Sequence, residues 1–367
     1  MGCCATGVEA KESISQIAQQ FFNELRLTSS CDTISQRNLK ALTCKGQRTQ
    51  SMEYVTTISA NEPIIITIGN FDGVHKGHQR LLHELRKTAE ELNCKPVLVT
   101  FSPHTLLVVR PDIDLYYLTT LEEKLALTKK YAGIADSIVI NFTPDVAAMD
   151  AHEFMDSLSR HFTIKGIVVG VNFSFGHNRT GDISFLERYC QKQGIVVRTI
   201  SLEEAERTRI SSTRIRALVS EGQVVKANEL LGHPVTLSEV VRHGDHRGRL
   251  LGFPTANLVP EAHKLIPANG VYAVRVSMNN IATSDVTELN PVYNGVANIG
   301  VRPTFNGKER IVEAHLFDVQ PDLYDKRITV DFLARLRDEQ RFASIDALKS
   351  QISSDVRQAR QILNVGG

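Results

Sequence analysis

The chain has 367 residues, two domains at ~150 residues each, and its 42 basic and 41 acidic side chains leave a formal charge of +1. That balance excludes the single-sign surface of a general nucleic-acid binder, so no nucleic-acid partner is expected. Hydrophobic residues at 42% and charged residues at 23% suit an ordinary buried core, and apolar runs such as 64–66 or 167–169 fall far short of the ~18 residues of a membrane span.

Residues 1–60 read as an N-terminal extension, disordered or partly helical. The spacing of Ile14, Ile17, Ala18, Phe21, Phe22 and Leu25 predicts a helix over 11–25, followed by a Ser/Thr/Cys/Arg-rich stretch almost without acids. Met1-Gly2-Cys3-Cys4-Ala5-Thr6 fits a myristoylation pattern, the composition also fits a transit peptide, and Met52 is an alternative start. Cys3, Cys4, Cys31 and Cys44 crowd the first 44 residues, leaving only Cys94 and Cys190 beyond them. This is not the pattern of a secreted disulfide framework. The expected location is cytoplasmic without stable membrane association, with organelle targeting or lipid anchoring through residues 1–50 as the alternative.

From 63 to 69 the chain reads as a short, buried, β-branched strand closed by Gly69. It runs into Asn70-Phe71-Asp72-Gly73-Val74-His75-Lys76-Gly77-His78, after which Leu81, Leu82, Leu85, Ala89 and Leu92 mark an amphipathic helix. Strand, glycine-rich turn and helix form a place where backbone N–H groups favour phosphate, and Gly73 and Gly77 permit close approach. A lone histidine near a helix start is usually a capping or surface residue; two in this string point to an anion site. Strands predicted at 97–101, 137–140, 167–170 and 196–200 alternate with helices at 121–131, 151–161 and 185–193. This is the pattern of a parallel sheet with its ligand site at the strands' C-terminal ends.

The string Gly69-x-Phe71-Asp72-Gly73-x-His75-x-Gly77-His78 resembles the signature of the nucleotidyltransferase superfamily, in the branch that adenylylates FMN. The resemblance implies that His75 and His78 stabilise charge on the triphosphate as pyrophosphate leaves. It also implies nucleotide contacts at Gly69, Phe71, Asp72, Gly73 and Gly77. Ile210-Ser211-Ser212-Thr213-Arg214-Ile215-Arg216 resembles the second half of that signature, in which Ser212, Thr213 and Arg216 hold ATP phosphates. On the residues alone, capping accounts for Ser211 or Ser212, but not for an arginine one turn beyond Thr213. By the same resemblance Asn172 is catalytic, and Phe101, Phe173 and Phe175 contact flavin. For the last two, core packing is nearly as good a reading.

Beyond Gly232-His233-Pro234 the periodicity changes. Strands are predicted at 236–243, 271–276, 292–299, 312–317 and 328–333, then a helix over 345–363. His243-Gly244-Asp245-His246-Arg247-Gly248-Arg249 continues to Gly252-Phe253-Pro254-Thr255-Ala256-Asn257, which resembles the riboflavin kinases. That likeness implies phosphate contacts at Gly244, Arg247, Gly248, Gly252 and Pro254, and Mg²⁺ with ATP at Thr255 and Asn257. Asn298, Arg302 and Thr304 fall in its flavin-side segment, and Glu313 at its catalytic base. A mid-strand glutamate is otherwise most often a solvated-face residue. The match departs at His246, where the family usually has glycine.

The resemblance to bifunctional riboflavin kinase/FAD synthetases covers about 64–363. It implies a Rossmann-like nucleotidyltransferase domain at 61–234 and a small six-stranded β-barrel kinase domain with a C-terminal helix at 235–367. The implied chemistry is riboflavin to FMN, then FMN to FAD. The substrates are riboflavin, FMN and ATP, and oligomerisation is left open. The alternative is a monofunctional FMN adenylyltransferase with a degenerate kinase half, prompted by His246.

Overall fold

The computed structural model describes residues 40–41, 52–201, 210–243, 253–278, 291–304 and 307–364. The helix expected over 11–25 and the candidate residues Gly244, His246, Arg247, Gly248 and Gly252 lie outside them, as does the side chain of Thr304. The chain forms two compact units. One comprises Gly77–Leu115, Leu127–Arg209 and the chain up to Phe71; the other comprises Asp72–Lys76, Tyr116–Ala126 and Ile210–Gly367.

The first unit is built on a seven-stranded sheet. Its strands are β1 (Lys40–Ala41), β2 (Tyr54–Thr56), β3 (Pro63–Ile68), β4 (Lys95–Ser102), β5 (Asp136–Asn141), β6 (Thr163–Gly170) and β7 (Val196–Ile200), in the order β1-β2-β5-β4-β3-β6-β7. Strands β3 to β7 pair in parallel, and β2 joins β5 antiparallel. Ile64, Ile65 and Ile66 of β3 are fully buried, which is why an unbroken β-branched run, rather than an alternating one, forms this central strand. The strand order reverses between β3 and β6. The carboxyl ends of those two strands therefore flank the topological switch point at which such sheets bind ligands.

The connecting helices α1 (Lys76–Glu91), α2 (Thr105–Val109), α3 (Leu121–Ala132), α4 (Pro144–Ala148), α5 (Ala151–His161) and α6 (Ile183–Gln193) start where local chemistry dictates. Asp150 caps α5 by accepting from the amides of His152 and Glu153, and Glu153 returns the bond to the Asp150 amide. Asp182 caps α6, which ends at left-handed Gly194.

The second unit carries α7 (Ser212–Ser220), α8 (Val224–Leu231) and six antiparallel strands: β8 (Val235–Val240), β9 (Ala256–Leu258), β10 (Gly270–Ser277), β11 (Val292–Thr304), β12 (Gly307–Leu316) and β13 (Arg327–Arg337). Their order is β8-β13-β10-β11-β12-β9. The sheet curls until its edges meet at a bridge between Arg242 and Asn257, where the Arg242 amide donates to the Asn257 carbonyl at 2.9 Å. Tyr272, Phe332, Leu237, Ile299 and Val312 fill the interior at 0% exposure. Ile215, Val219, Val224, Ala227 and Leu231 belong to the same core, so α7 and α8 pack their apolar faces on the barrel. A last helix, α9 (Ile345–Ile362), is capped by Ser344. Arg337 of β13 holds it through the buried Asp355 carboxylate, with Nε and Nη2 bonds of 3.0 and 2.8 Å.

Candidate active sites

The turn after β3 is held in an unfavourable backbone. Phe71 (φ 50°) and Val74 (φ 38°) both lie in the left-handed region, a cost of about 1–3 kcal/mol each for residues with a Cβ. Gly73 (φ 81°) is obligatory, because a Cβ there would also meet Leu118 Cδ1 at 2.7 Å. Gly69 closes β3 by donating its amide to the Val99 carbonyl. Asn70 fastens the turn to α2, donating from Nδ2 to Thr105 Oγ1 at 2.8 Å and accepting from the Thr105 amide. Gly77 is buried in the first turn of α1, and the His78 ring packs 5.1 Å from that of Phe71. Burial pushes the His75 imidazole down to about 4, against the opposing pull of Asp72, so the ring is neutral at pH 7. A neutral imidazole still donates one hydrogen bond to an anion.

Asp72 was expected to contact nucleotide. Its side chain, 3% exposed, instead accepts from protein donors. The amides of Leu118 and Thr119 reach Oδ1 at 2.9 and 3.1 Å, and Arg216 Nη2 reaches Oδ2 at 2.7 Å. Ser211 caps α7, whereas Ser212 Oγ donates to the Asp72 carbonyl at 3.0 Å. Both halves of the signature are thus joined through one buried carboxylate. Thr213 is exposed on the first turn of α7, and the buried Arg216 Nε has no hydrogen-bond partner among the described residues. Sequence reasoning missed the segment at 117–120 because its part is played by backbone amides.

Asn172 is exposed just past the end of β6. Phe173 and Phe175 stack on each other at 5.3 Å and pack against the core of their unit, with Phe154 edge-on to Phe175. Phe101 is 9% exposed and packs edge-on to Phe142 within that core. The packing reading is therefore the one these three rings support.

In the barrel, Val312 and Ala314 point inward at 0% and 1% exposure, so the intervening Glu313 points outward. That outer face is not open solvent. It forms a cavity of ≈ 780 Å³ whose walls include Leu348, Ile352 and Asp355 of α9, a volume suited to a small-molecule ligand. Across the sheet Glu313 stands opposite Asn257 on β9 and Asn298 on β11, so the three share one row and one face. Arg302, also lining the cavity, donates from Nη2 to Glu313. Thr255 and Pro254 lie at the same wall. His315 fixes that segment, with Nδ1 at 2.9 Å from the Pro254 carbonyl and its ring edge-on to Phe253. His315 and the α9 wall were not identified from sequence.

One atom in this cavity bears on a metal ion. Asn257 Oδ1 is buried and has no hydrogen-bond partner among the described residues. A buried, unsatisfied, uncharged oxygen costs about 1–3 kcal/mol and is the donor type Mg²⁺ accepts when phosphates supply the charge. The donor set of Asn257 and Thr255 therefore fits the group.

The riboflavin kinase family matches residues 231–363, and the FAD synthetase family matches residues 57–214. Bifunctional riboflavin kinase/FMN adenylyltransferases of Escherichia coli (strain K12) and Pseudomonas fluorescens are 38% and 37% identical to the chain over 305 residues each. The alignments cover 83% and 81% of this chain and 94% and 92% of those proteins. A crystal structure described as a macrolide-efflux protein from Streptococcus pneumoniae superposes with a TM-score of 0.70 at 31% identity, over 82% of this chain and 94% of that one.

Proposed function

The chain belongs to the family of bifunctional riboflavin kinase/FMN adenylyltransferases, and from that premise we propose how its own residues carry the two reactions. It is a riboflavin kinase and an FAD synthetase. ATP phosphorylates riboflavin to FMN, and a second ATP adenylylates FMN to FAD with release of pyrophosphate.

For the kinase, Glu313 is the general base that accepts the proton of riboflavin's primary hydroxyl as the γ-phosphoryl transfers. Asn257 and Thr255 hold Mg²⁺·ATP beside it, the metal supplying charge neutralisation on the phosphates when bound. Asn298 and Arg302 line the flavin side. The single observation that carries this reading is the row Asn257–Glu313–Asn298 across three strands of one cavity.

For adenylyl transfer, an FMN phosphate oxygen attacks the α-phosphorus, the bond to the bridging oxygen breaks, and pyrophosphate departs with the negative charge. The residues need only position and donate. Arg216 supplies a fixed positive charge and an unspent N–H. His75 and His78 donate hydrogen bonds, Ser212 and Thr213 contribute hydroxyls at the α7 start, and Asn172 stands at the switch point. The free thiols of Cys94 and Cys190 suit a reducing, cytoplasmic setting.

Chromatography of products from riboflavin and Mg-ATP tests the assignment. Wild type yields FAD. Glu313→Gln forms FMN and FAD from riboflavin far more slowly but still converts supplied FMN, whereas His78→Ala accumulates FMN. FMN formation at the normal rate by Glu313→Gln removes Glu313 as the base.

A further inference from the structure

Lys264 and Glu123 belong to no motif in the sequence, yet they form the most deeply buried ion pair among the described residues. Their side chains are 0% and 1% exposed and 2.6 Å apart. Each is also bonded to backbone. Lys264 Nζ donates to the Leu118 carbonyl at 2.5 Å, and Glu123 accepts from the amides of Thr120 at 3.0 Å and Ser238 at 2.9 Å. On its other edge the same short stretch serves the signature turn. The Leu118 and Thr119 amides hold the Asp72 carboxylate, and Thr119 Oγ1 accepts from the Gly73 amide at 3.0 Å. Tyr117 fastens it further, exchanging backbone bonds of 2.8 and 2.9 Å with His263 and Leu265. Residues 117–123 are therefore a strap with Lys264 on one side and Asp72 on the other, all within the second compact unit.

We propose that Lys264, through its pair with Glu123, is a positioning residue for adenylyl transfer: it fixes the strap whose amides hold Asp72, and Asp72 aims the Arg216 guanidinium. The inference rests on the reading of Arg216 as a phosphate ligand. Burying an ammonium is costly, and apolar residues of the same volume often serve stability as well or better. Geometry is what the pair supplies here, since the Asp72 oxygens have a defined direction only if the amides at 118 and 119 stay in place. Lys264 lies in the segment matched to riboflavin kinase and Glu123 in the segment matched to FAD synthetase, while Arg216 lies just beyond the latter's end at 214. Adenylylation thus depends on a residue contributed by the kinase sequence.

The test uses the full chain and the double variant Lys264→Met/Glu123→Gln, which removes both charges and leaves none unpaired. FAD formation from FMN is expected to lose about ten- to a hundredfold in kcat, while riboflavin phosphorylation by the same preparation stays within about twofold and reports an intact fold. In an Arg216→Gln background the double substitution is expected to add no further loss, the non-additivity of residues acting through one another. Normal FAD formation, equal loss of both activities, or full additivity with Arg216→Gln overturns the proposal. If Arg216→Gln itself leaves FAD formation intact, the reading of Arg216 fails first and takes the inference with it.

Discussion

Arg302 and Glu313, eleven residues apart on successive strands, form an ion pair inside the cavity proposed as the kinase site. The proposed base is therefore tethered by a guanidinium before any substrate enters. Such a pair fixes the carboxylate's direction, which a general base requires as much as its proton affinity. Arg302→Gln is expected to lower the kcat of riboflavin phosphorylation about tenfold, against about 10²- to 10⁴-fold for Glu313→Gln. FAD formation from supplied FMN stays unchanged in both. Equal rates for Arg302→Gln and wild type would show that the tether does nothing for catalysis.

The unpartnered Asn257 oxygen gives a second expectation. Asn257→Ala removes an oxygen suited to Mg²⁺, so the kinase should need about tenfold more free Mg²⁺ for half-maximal rate, a loss of one ligand's worth of ~1.4 kcal/mol. The check is a Mg²⁺ titration at fixed ATP, with the adenylyl-transfer titration as the internal control.

His75 makes stability depend on acid. Its pKa is depressed from 6.5 to about 4 in the folded protein, so the unfolded chain binds the extra proton between those values. Its contribution is complete above pH 6.5 and is lost as pH falls toward 4, ~3 kcal/mol in all. Urea unfolding at pH 7 and pH 4.5 should show a smaller pH effect in His75→Gln than in wild type. An identical pH effect in the two proteins would mean that the imidazole is not buried neutral.

Asp355 links the last helix to the barrel. Replacing it with alanine leaves the Arg337 guanidinium without its bidentate partner, at about 3 kcal/mol, and loosens a wall of the kinase cavity. Riboflavin phosphorylation should weaken mainly through the KM for riboflavin, and the thermal transition should move down. Asp355→Asn, which keeps some hydrogen bonding, should fall between the two.

Much of this was legible in the sequence. Runs such as Ile64–Ile66 are β-branched and unbroken because both faces of β3 are covered, so composition alone announced a buried parallel strand. Glu313 stood out only through the likeness of its segment to the riboflavin kinases, since a glutamate between two inward-facing apolar neighbours is by itself most often a solvated-face residue. Its row-mates could not be read without the register, because Asn257 and Asn298 approach it only through strand pairing. The same holds for Asp72, an expected nucleotide contact whose partners at 118, 119 and 216 are distant in sequence. Phe173 and Phe175 were balanced between ligand and core, since spacing does not say which face of a loop is covered; their stacking sides with packing. Helices α7 and α8 show helical periodicity, but periodicity is silent about which body receives the apolar side.

The bridge between Arg242 and Asn257 has a consequence for the position of a site residue. The amide of Arg242 donates to the carbonyl of Asn257 at 2.9 Å, which ties the free edge of β9 to the chain just past β8. The β9 backbone is therefore held on both flanks, by Val312–Ala314 on one and Arg242 on the other, so closing the barrel also sets where the Asn257 carboxamide sits.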